Sequence, residues 1–144
     1  MKYTAPAVLA AVLACTGNKP VNIGVGDGKL TPCPDSPNCV SSQENESKQR
    51  IEPLIYKGTQ KEAKERLLSV VKGIERSKIV TDDNSYVHVE FTSALFRFVD
   101  DGEFLFDDKE KKIQMRSAAR SGYYDFGVNR RRMEAVRSGF TGQQ

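Results

Sequence analysis

The spacing of apolar positions changes along the chain, and each change predicts an element. Ala63, Leu67, Val70, Val71 and Ile74 recur at steps of three and four, the period of a helix with one buried stripe. Thr59-x-x-Glu62 stands just ahead. The Thr59 hydroxyl can take the amide of residue 62 while Glu62 reaches back to the amide of Thr59, a capping box that starts a helix. Gly73 lies near the expected end.

The period then drops to two. Lys78 to Asp82 and Tyr86 to Thr92 flank the turn residues Asp83-Asn84. Val87, Val89 and Phe91 point one way and Tyr86, His88 and Glu90 the other, so one sheet face is apolar and one polar. Phe96 and Phe98 continue a strand pattern, and Asp100-Asp101-Gly102 reads as a tight turn or a bulge. Phe104 and Phe106 resume the alternation. Asp107 to Lys111 turns, and Ile113, Met115 and Ser117 alternate again. Successive strands joined by short polar turns predict an antiparallel meander. A second helix is expected from Asn129, a favourable N-cap, with Met133, Val136 and Phe140 as its buried stripe.

Upstream, Ile51 to Tyr56 contains Pro53 and suits a short edge strand. Glu44 to Gln49 is a polar surface loop, in which Asn45-Glu46-Ser47 is a chance match to a glycosylation acceptor. Leu30 to Gln43 holds three Pro and two Cys and is expected to be ordered but irregular. The expected fold is α+β: an antiparallel sheet of about four to five strands with two packed helices, preceded by a disulfide-stapled irregular segment.

The first residues read as an address. Lys2 precedes the apolar run Ala5 to Leu13, which is far short of the roughly 20 residues that cross a bilayer and suits a cleavable signal peptide. Val12-Leu13-Ala14-Cys15 resembles a bacterial lipobox. That resemblance implies cleavage after residue 14 and acylation of Cys15, with several acyl chains giving stable anchoring. Thr16 rather than Asp follows, which by the sorting rule implies the outer membrane, facing the periplasm. Residues 15–29 then serve as the lipidated Cys and a flexible tether, and 30–140 as a single domain. Three Cys would leave an exported protein one spare thiol. With Cys15 acylated, Cys33 and Cys39 remain for a disulfide. Two Cys without a nearby His make a poor zinc site.

The formal net charge of +3 does not by itself argue for nucleic acid, but its distribution is uneven. Asp82 to Glu110 carries nine acids and two bases, a net of −7, while Lys111 to Arg137 carries eight bases and two acids, a net of +6. In the basic stretch Arg116 and Arg120 end a strand, and Asn129, Arg130 and Arg132 open the second helix. Helix N-terminal amides and guanidinium groups favour a carboxylate or phosphate, so these five residues form a candidate anion site. The competing expectation is that the Arg side chains pair with the acidic block just before them. His88, Glu90 and Asp101 are candidate acid–base groups; a lone His with no recognisable nucleophile is more often structural. The clusters Asp100-Asp101-Glu103 and Asp107-Asp108-Glu110 lack calcium-loop spacing and are expected to be solvated turns. No motif calls for a cofactor or a metal.

Three segments together carry a resemblance. They are Pro32 to Ser42; Tyr86 to Ser93 with Phe96 to Asp101; and Arg116 to Tyr123 with Asp125 to Arg132. The chain over about Leu30 to Arg137 resembles the Domain of Unknown Function 1499 family of bacteria and photosynthetic eukaryotes. The resemblance implies no activity. It draws attention to Cys33, Cys39, Glu90, Arg97, Asp100, Asp101, Arg116, Ser117, Arg120, Gly122, Asp125, Asn129 and Arg132. The chain departs from the family pattern at Gly102 and Tyr124. That pattern implies one bent, continuous strand through Gly102, with Asp100 and Asp101 inside the sheet and able to pair with Arg97, Arg116 or Arg120. The functional expectation is a non-enzymatic envelope lipoprotein. Its partners would be the membrane, through its lipid, and an anionic ligand or an envelope protein. The alternatives are a small enzyme acting on an anionic substrate and a purely structural module.

Overall fold

The computed structural model describes residues 22–45 and 48–143. The expected signal peptide, Cys15, the first part of the tether and the Glu46-Ser47 pair lie outside these residues.

Two short strands, β1 (Val25–Gly26) and β2 (Lys29–Leu30), form a hairpin around Asp27-Gly28. Both turn residues have positive φ, 51° and 73°, the backbone that joins antiparallel strands through two residues. Asp-Gly is a strong sequence signal for this turn, yet the stretch was expected to be tether. β3 (Cys39–Ser41) and β4 (Leu54–Ile55) follow, then helix α1 (Gln60–Lys72). The capping box forms as expected, with Thr59 and Glu62 satisfying each other's amides. Ala63, Leu67 and Val71 are buried, while Val70 and Ile74 pack against the core at its margin.

The meander is β5 (Ser77–Asp82), β6 (Tyr86–Thr92), β7 (Val99–Asp107) and β8 (Lys112–Ala119), and helix α2 (Val128–Thr141) closes the chain. The main sheet has six strands, in order β3-β8-β7-β6-β5, with β4 also on β8. β3 and β4 lie end to end along one edge: β3 pairs Cys39 to Ser41 with Ala118 to Arg116, and β4 pairs Leu54 and Ile55 with Ile113 and Lys112. The sheet therefore exceeds the expected four to five strands, because Cys39–Ser41 pairs in register instead of staying irregular. The Cys33–Cys39 disulfide is formed.

Three local expectations are corrected. Phe96 and Phe98 do not extend a strand; they sit exposed in the β6–β7 loop. Asp100-Asp101-Gly102 is not a turn but the interior of β7, paired in unbroken register with both neighbours. Gly102 belongs there for a steric reason: a Cβ at this position would lie 2.5 Å from the Phe91 ring. Asn129 is not the N-cap of α2. That position is Gly127, at φ 74°, and Asn129 is buried one position inside the helix.

Both helices cover one sheet face. Val87, Val89, Phe91, Phe104, Ile113 and Met115 meet Leu67, Val71, Met133, Val136 and Phe140 there in one apolar core. Register then dictates the other face, since alternate residues point away. It carries Tyr86, His88 and Glu90 of β6, Asp101 and Glu103 of β7, and Arg116 of β8.

Candidate functional site

That second face buries charge. Arg116 and Glu103, opposite one another on β8 and β7, are 2% and 0% exposed and pair at 2.7 Å through Nη1 and Oε2. Glu103 Oε1 also accepts the Tyr86 hydroxyl at 2.8 Å and the Gly24 amide at 2.6 Å, so the N-terminal hairpin is docked on it. Arg116 Nε is buried with no hydrogen-bond partner among the described residues. Burial and then the Glu103 charge push the Tyr86 phenol well above its ordinary range, which keeps it a donor.

Next to this pair lies a second cluster. Arg120 grips Asp101 through two bonds, Nε to Oδ2 at 2.8 Å and Nη2 to Oδ1 at 2.7 Å. Its Nη2 also donates to Glu90 at 2.6 Å. His88 Nε2 lies 2.7 Å from Asp101 Oδ1, and His88 is 3% exposed. Burial pushes the Asp101 carboxyl up, but the hydrogen bonds and charges of Arg120 and His88 outweigh it and hold Asp101 below the usual carboxylate range. Asp101 is therefore an acceptor, and His88 Nε2 carries the proton between them. The Asp101 hydrogen bond also raises the Arg120 guanidinium further. His88, Glu90 and Asp101 are thus brought together, but around a cation that already engages both carboxylates.

The helix side holds the rest. Arg132 pairs with Asp100 at 2.9 Å and lies over the Phe91 ring at 4.7 Å. Burial pushes the Asp100 carboxyl up, and Arg132 offsets this only in part. Asn129 accepts from Ser117 Oγ at 2.5 Å and from Arg132 at 3.0 Å, and donates to the Asn38 carbonyl and to Asp125. It ties β8, the disulfide loop and α2 together. Asp125 does the capping expected of Asn129: its two oxygens accept the amides of Gly127 and Asn129. Arg130 donates to the backbone carbonyls of Arg50 and Lys48 at the surface.

The five candidate anion residues therefore do not share one surface. The sheet separates Arg116 and Arg120 from Asn129 and Arg132, and Arg130 lies elsewhere on α2. The acidic and basic blocks of the sequence are one another's partners: Glu103 with Arg116, Asp101 with Arg120, Asp100 with Arg132. Asp100, Asp101 and Glu103 are buried rather than solvated as expected, because pairing within β7 leaves their side chains opposite guanidinium groups. Asp107, Asp108 and Glu110 do occupy a solvent-facing turn. Arg97 stays exposed with a φ of 58°. Among the described residues no three His, Cys, Asp or Glu side chains gather as a metal site, and no helix is long and apolar enough to cross a membrane.

One further region was missed by reading periodicity. The β6–β7 loop exposes Leu95, Phe96 and Phe98, and the loop from β8 to α2 exposes Tyr123, Tyr124 and Phe126. Both loops leave the same end of the sheet, since Asp100 pairs with Ala119 and the Arg120 amide donates to the Val99 carbonyl. Leu95 is 80% and Phe126 86% exposed. Within the loops Phe96 stacks on Phe98 and Tyr123 meets Tyr124 edge-on. The available signal was aromatic residues beside Gly122 and Gly127, where a loop cannot bury them.

The described residues form an α+β fold: two helices on one face of an antiparallel sheet and paired charges on the other. The chain belongs to the family described as Protein of unknown function (DUF1499), whose model matches residues 29–140. No curated protein and no solved structure matches it.

Proposed function

We propose that this chain is a non-enzymatic binding module of the bacterial cell envelope, lipid-anchored through Cys15 at the outer membrane and facing the periplasm. The lipobox-like run Val12-Leu13-Ala14-Cys15 supports the address. The observation that carries the binding role is the contrast between two regions. Of the groups that could do acid–base chemistry His88 and Asp101 are buried, Glu90 is half-buried, and all three are engaged with one another through Asp101 and Arg120, while apolar side chains stand in solvent at one end of the sheet. General acid–base catalysis needs a group within hydrogen-bond reach of substrate. Here Asp101 Oδ1 already takes both His88 and Arg120. The contact surface we assign is therefore the aromatic end, in place of an Arg-lined anion pocket.

A second reading is a small enzyme acting on an anionic substrate, with Arg120 exchanging Glu90 or Asp101 for that substrate. It draws on the convergence of His88, Glu90 and Asp101 on one guanidinium.

Metabolic labelling with a palmitate analogue, followed by membrane fractionation, tests the anchor. The wild-type chain is expected to carry label and sediment with the envelope, and Cys15→Ala to lose both. A label that survives Cys15→Ala overturns the anchor. A turnover on any phosphate or carboxylate ester that His88→Ala abolishes overturns the non-enzymatic reading.

A further inference from the structure

We infer that the aromatic end of the sheet is the bilayer-facing end of this domain, and that its two loops seat in the lipid interface. This rests on the lipid-anchored reading above and names the partner of the same surface.

The first support is the path of the chain. The β1–β2 turn lies against the far end of β7: Val25 and Gly28 line one cleft with Leu105, Asp107 and Gln114. Moving back from the turn, the Gly24 amide reaches Glu103, nearer the start of β7. The returning strand leads through Thr31, whose amide donates to the Gly24 carbonyl, to the Cys33–Cys39 disulfide. Cys39 in turn pairs with Ala118, opposite Asp101. The chain therefore enters the domain from the aromatic end.

Gly24 docks three positions along β7 from Asp100, about 10 Å at the rise of a strand. Gly24 follows Cys15 by nine positions, and such a length spans at most ~30 Å. Asp107 lies four positions the other way, about 13 Å, so the tether's length alone reaches both ends; the direction in which the hairpin runs back from its turn past Glu103 is what favours the aromatic end.

The second support is the chemistry of the two loops. Phe and Leu tips with Tyr beside them suit the interface, where amphipathic rings settle at headgroup depth. Exposed Arg97 and Arg131 flank the rings and match anionic headgroups. The display is also held in place. Phe126 has a φ of 53°, a conformation a bulky residue rarely adopts. Arg131 fixes it by donating to the Phe126 carbonyl at 2.8 Å, and Asp125 secures the next residue's amide. The opposite turn, Asp107 to Lys112, carries three acids, three bases and no apolar side chain, so it offers nothing for a bilayer interior.

The chain has no Trp, so single-Trp variants report one site each. Full-length, acylated Phe96→Trp, Phe126→Trp and Lys109→Trp chains are reconstituted into phosphatidylethanolamine–phosphatidylglycerol vesicles with brominated acyl chains. All three sites are exposed, and circular dichroism checks each fold. The expected result is blue-shifted emission and several-fold stronger quenching at 96 and 126 than at 109. Equal quenching at all three sites, or water-like emission at 96 and 126 while Cys15 still carries label, overturns bilayer seating and leaves the anchored module standing. Loss of bilayer contact together with crosslinks through residue 126 between copies also overturns it, in favour of a second copy as occupant. A Cys15 without label removes the anchored reading and, with it, this one.

Discussion

The polar face of the sheet and its aromatic end reverse the usual partition of side chains. On the face, Arg116, Glu103, His88 and Asp101 are buried; at the end, Leu95, Phe96 and Phe126 are in solvent. The face can bury charge because register sets Arg116 opposite Glu103, and Arg120, just past the end of β8, reaches back to Asp101 and Glu90; each pair gains further donors, which it needs to offset its desolvation. The end has no such enclosure. Its residues lie on loops that run past the last paired residues, and none of the described residues covers them. Buried charge thus reports a requirement of the fold, while the exposed apolar side chains answer to none and are the basis of the proposed contact.

The sharpest way to break this comparison is to remove one member of the buried pair. Arg116→Met leaves Glu103 charged and enclosed, with only Tyr86 and Gly24 as donors. The loss should be about 3 kcal/mol, the lower end of the range for a broken buried pair, because the variant also removes the orphaned Nε–H. Adding Glu103→Gln should recover much of it, since an amide oxygen still accepts from Tyr86 and Gly24 without a charge. Urea unfolding of the single and double variants measures both. If the double variant is no better than the single one, the pair is not an electrostatic unit.

Asp101→Asn should come next, at roughly 2 kcal/mol near neutral pH for charge-assisted bonds lost to His88 and Arg120. Its pH dependence has a definite sign. The folded-state carboxyl is held low, so its stabilisation is complete above the unfolded value of about 3.9. It is lost as the pH falls through the folded value. The gap between wild type and variant should therefore close below about pH 3.9. Asp100, held high by burial, works in the opposite direction, so the measurement must be read as a difference between the two chains. A gap unchanged at low pH would place the effect in packing.

The smallest effect belongs to the aromatic end. Phe96→Ser with Phe126→Ser should change unfolding free energy by no more than about 0.5 kcal/mol, as for surface sites outside any structural mechanism. The same variant should weaken whatever contact this end makes. A large loss of stability would mean that the rings support the domain.

Much of this was legible before the fold was known. The step of three and four after Thr59 marked α1 and its cap, and the Val87-Val89-Phe91 alternation marked which side of β6 the helices cover. The family resemblance carried the continuous strand through Gly102, where local reading had placed a turn because Asp-Asp-Gly is turn chemistry. β3 was missed since a Pro- and Cys-rich segment has no periodicity to read. The cap of α2 was assigned to Asn129 because Asn favours that position, but Asp125 reaches the same amides from the preceding loop.

By itself, the sequence determined the class of fold, the pairing of Cys33 with Cys39 and the opposition of an acidic to a basic block, for these depend on local spacing and on counting charges. Only the tertiary structure decided which acid meets which base, that the sheet separates Arg116 and Arg120 from Asn129 and Arg132, and that the chain enters beside the exposed rings. Those outcomes depend on strand register and on which loops share an end, and both are set by contacts between residues far apart in the chain.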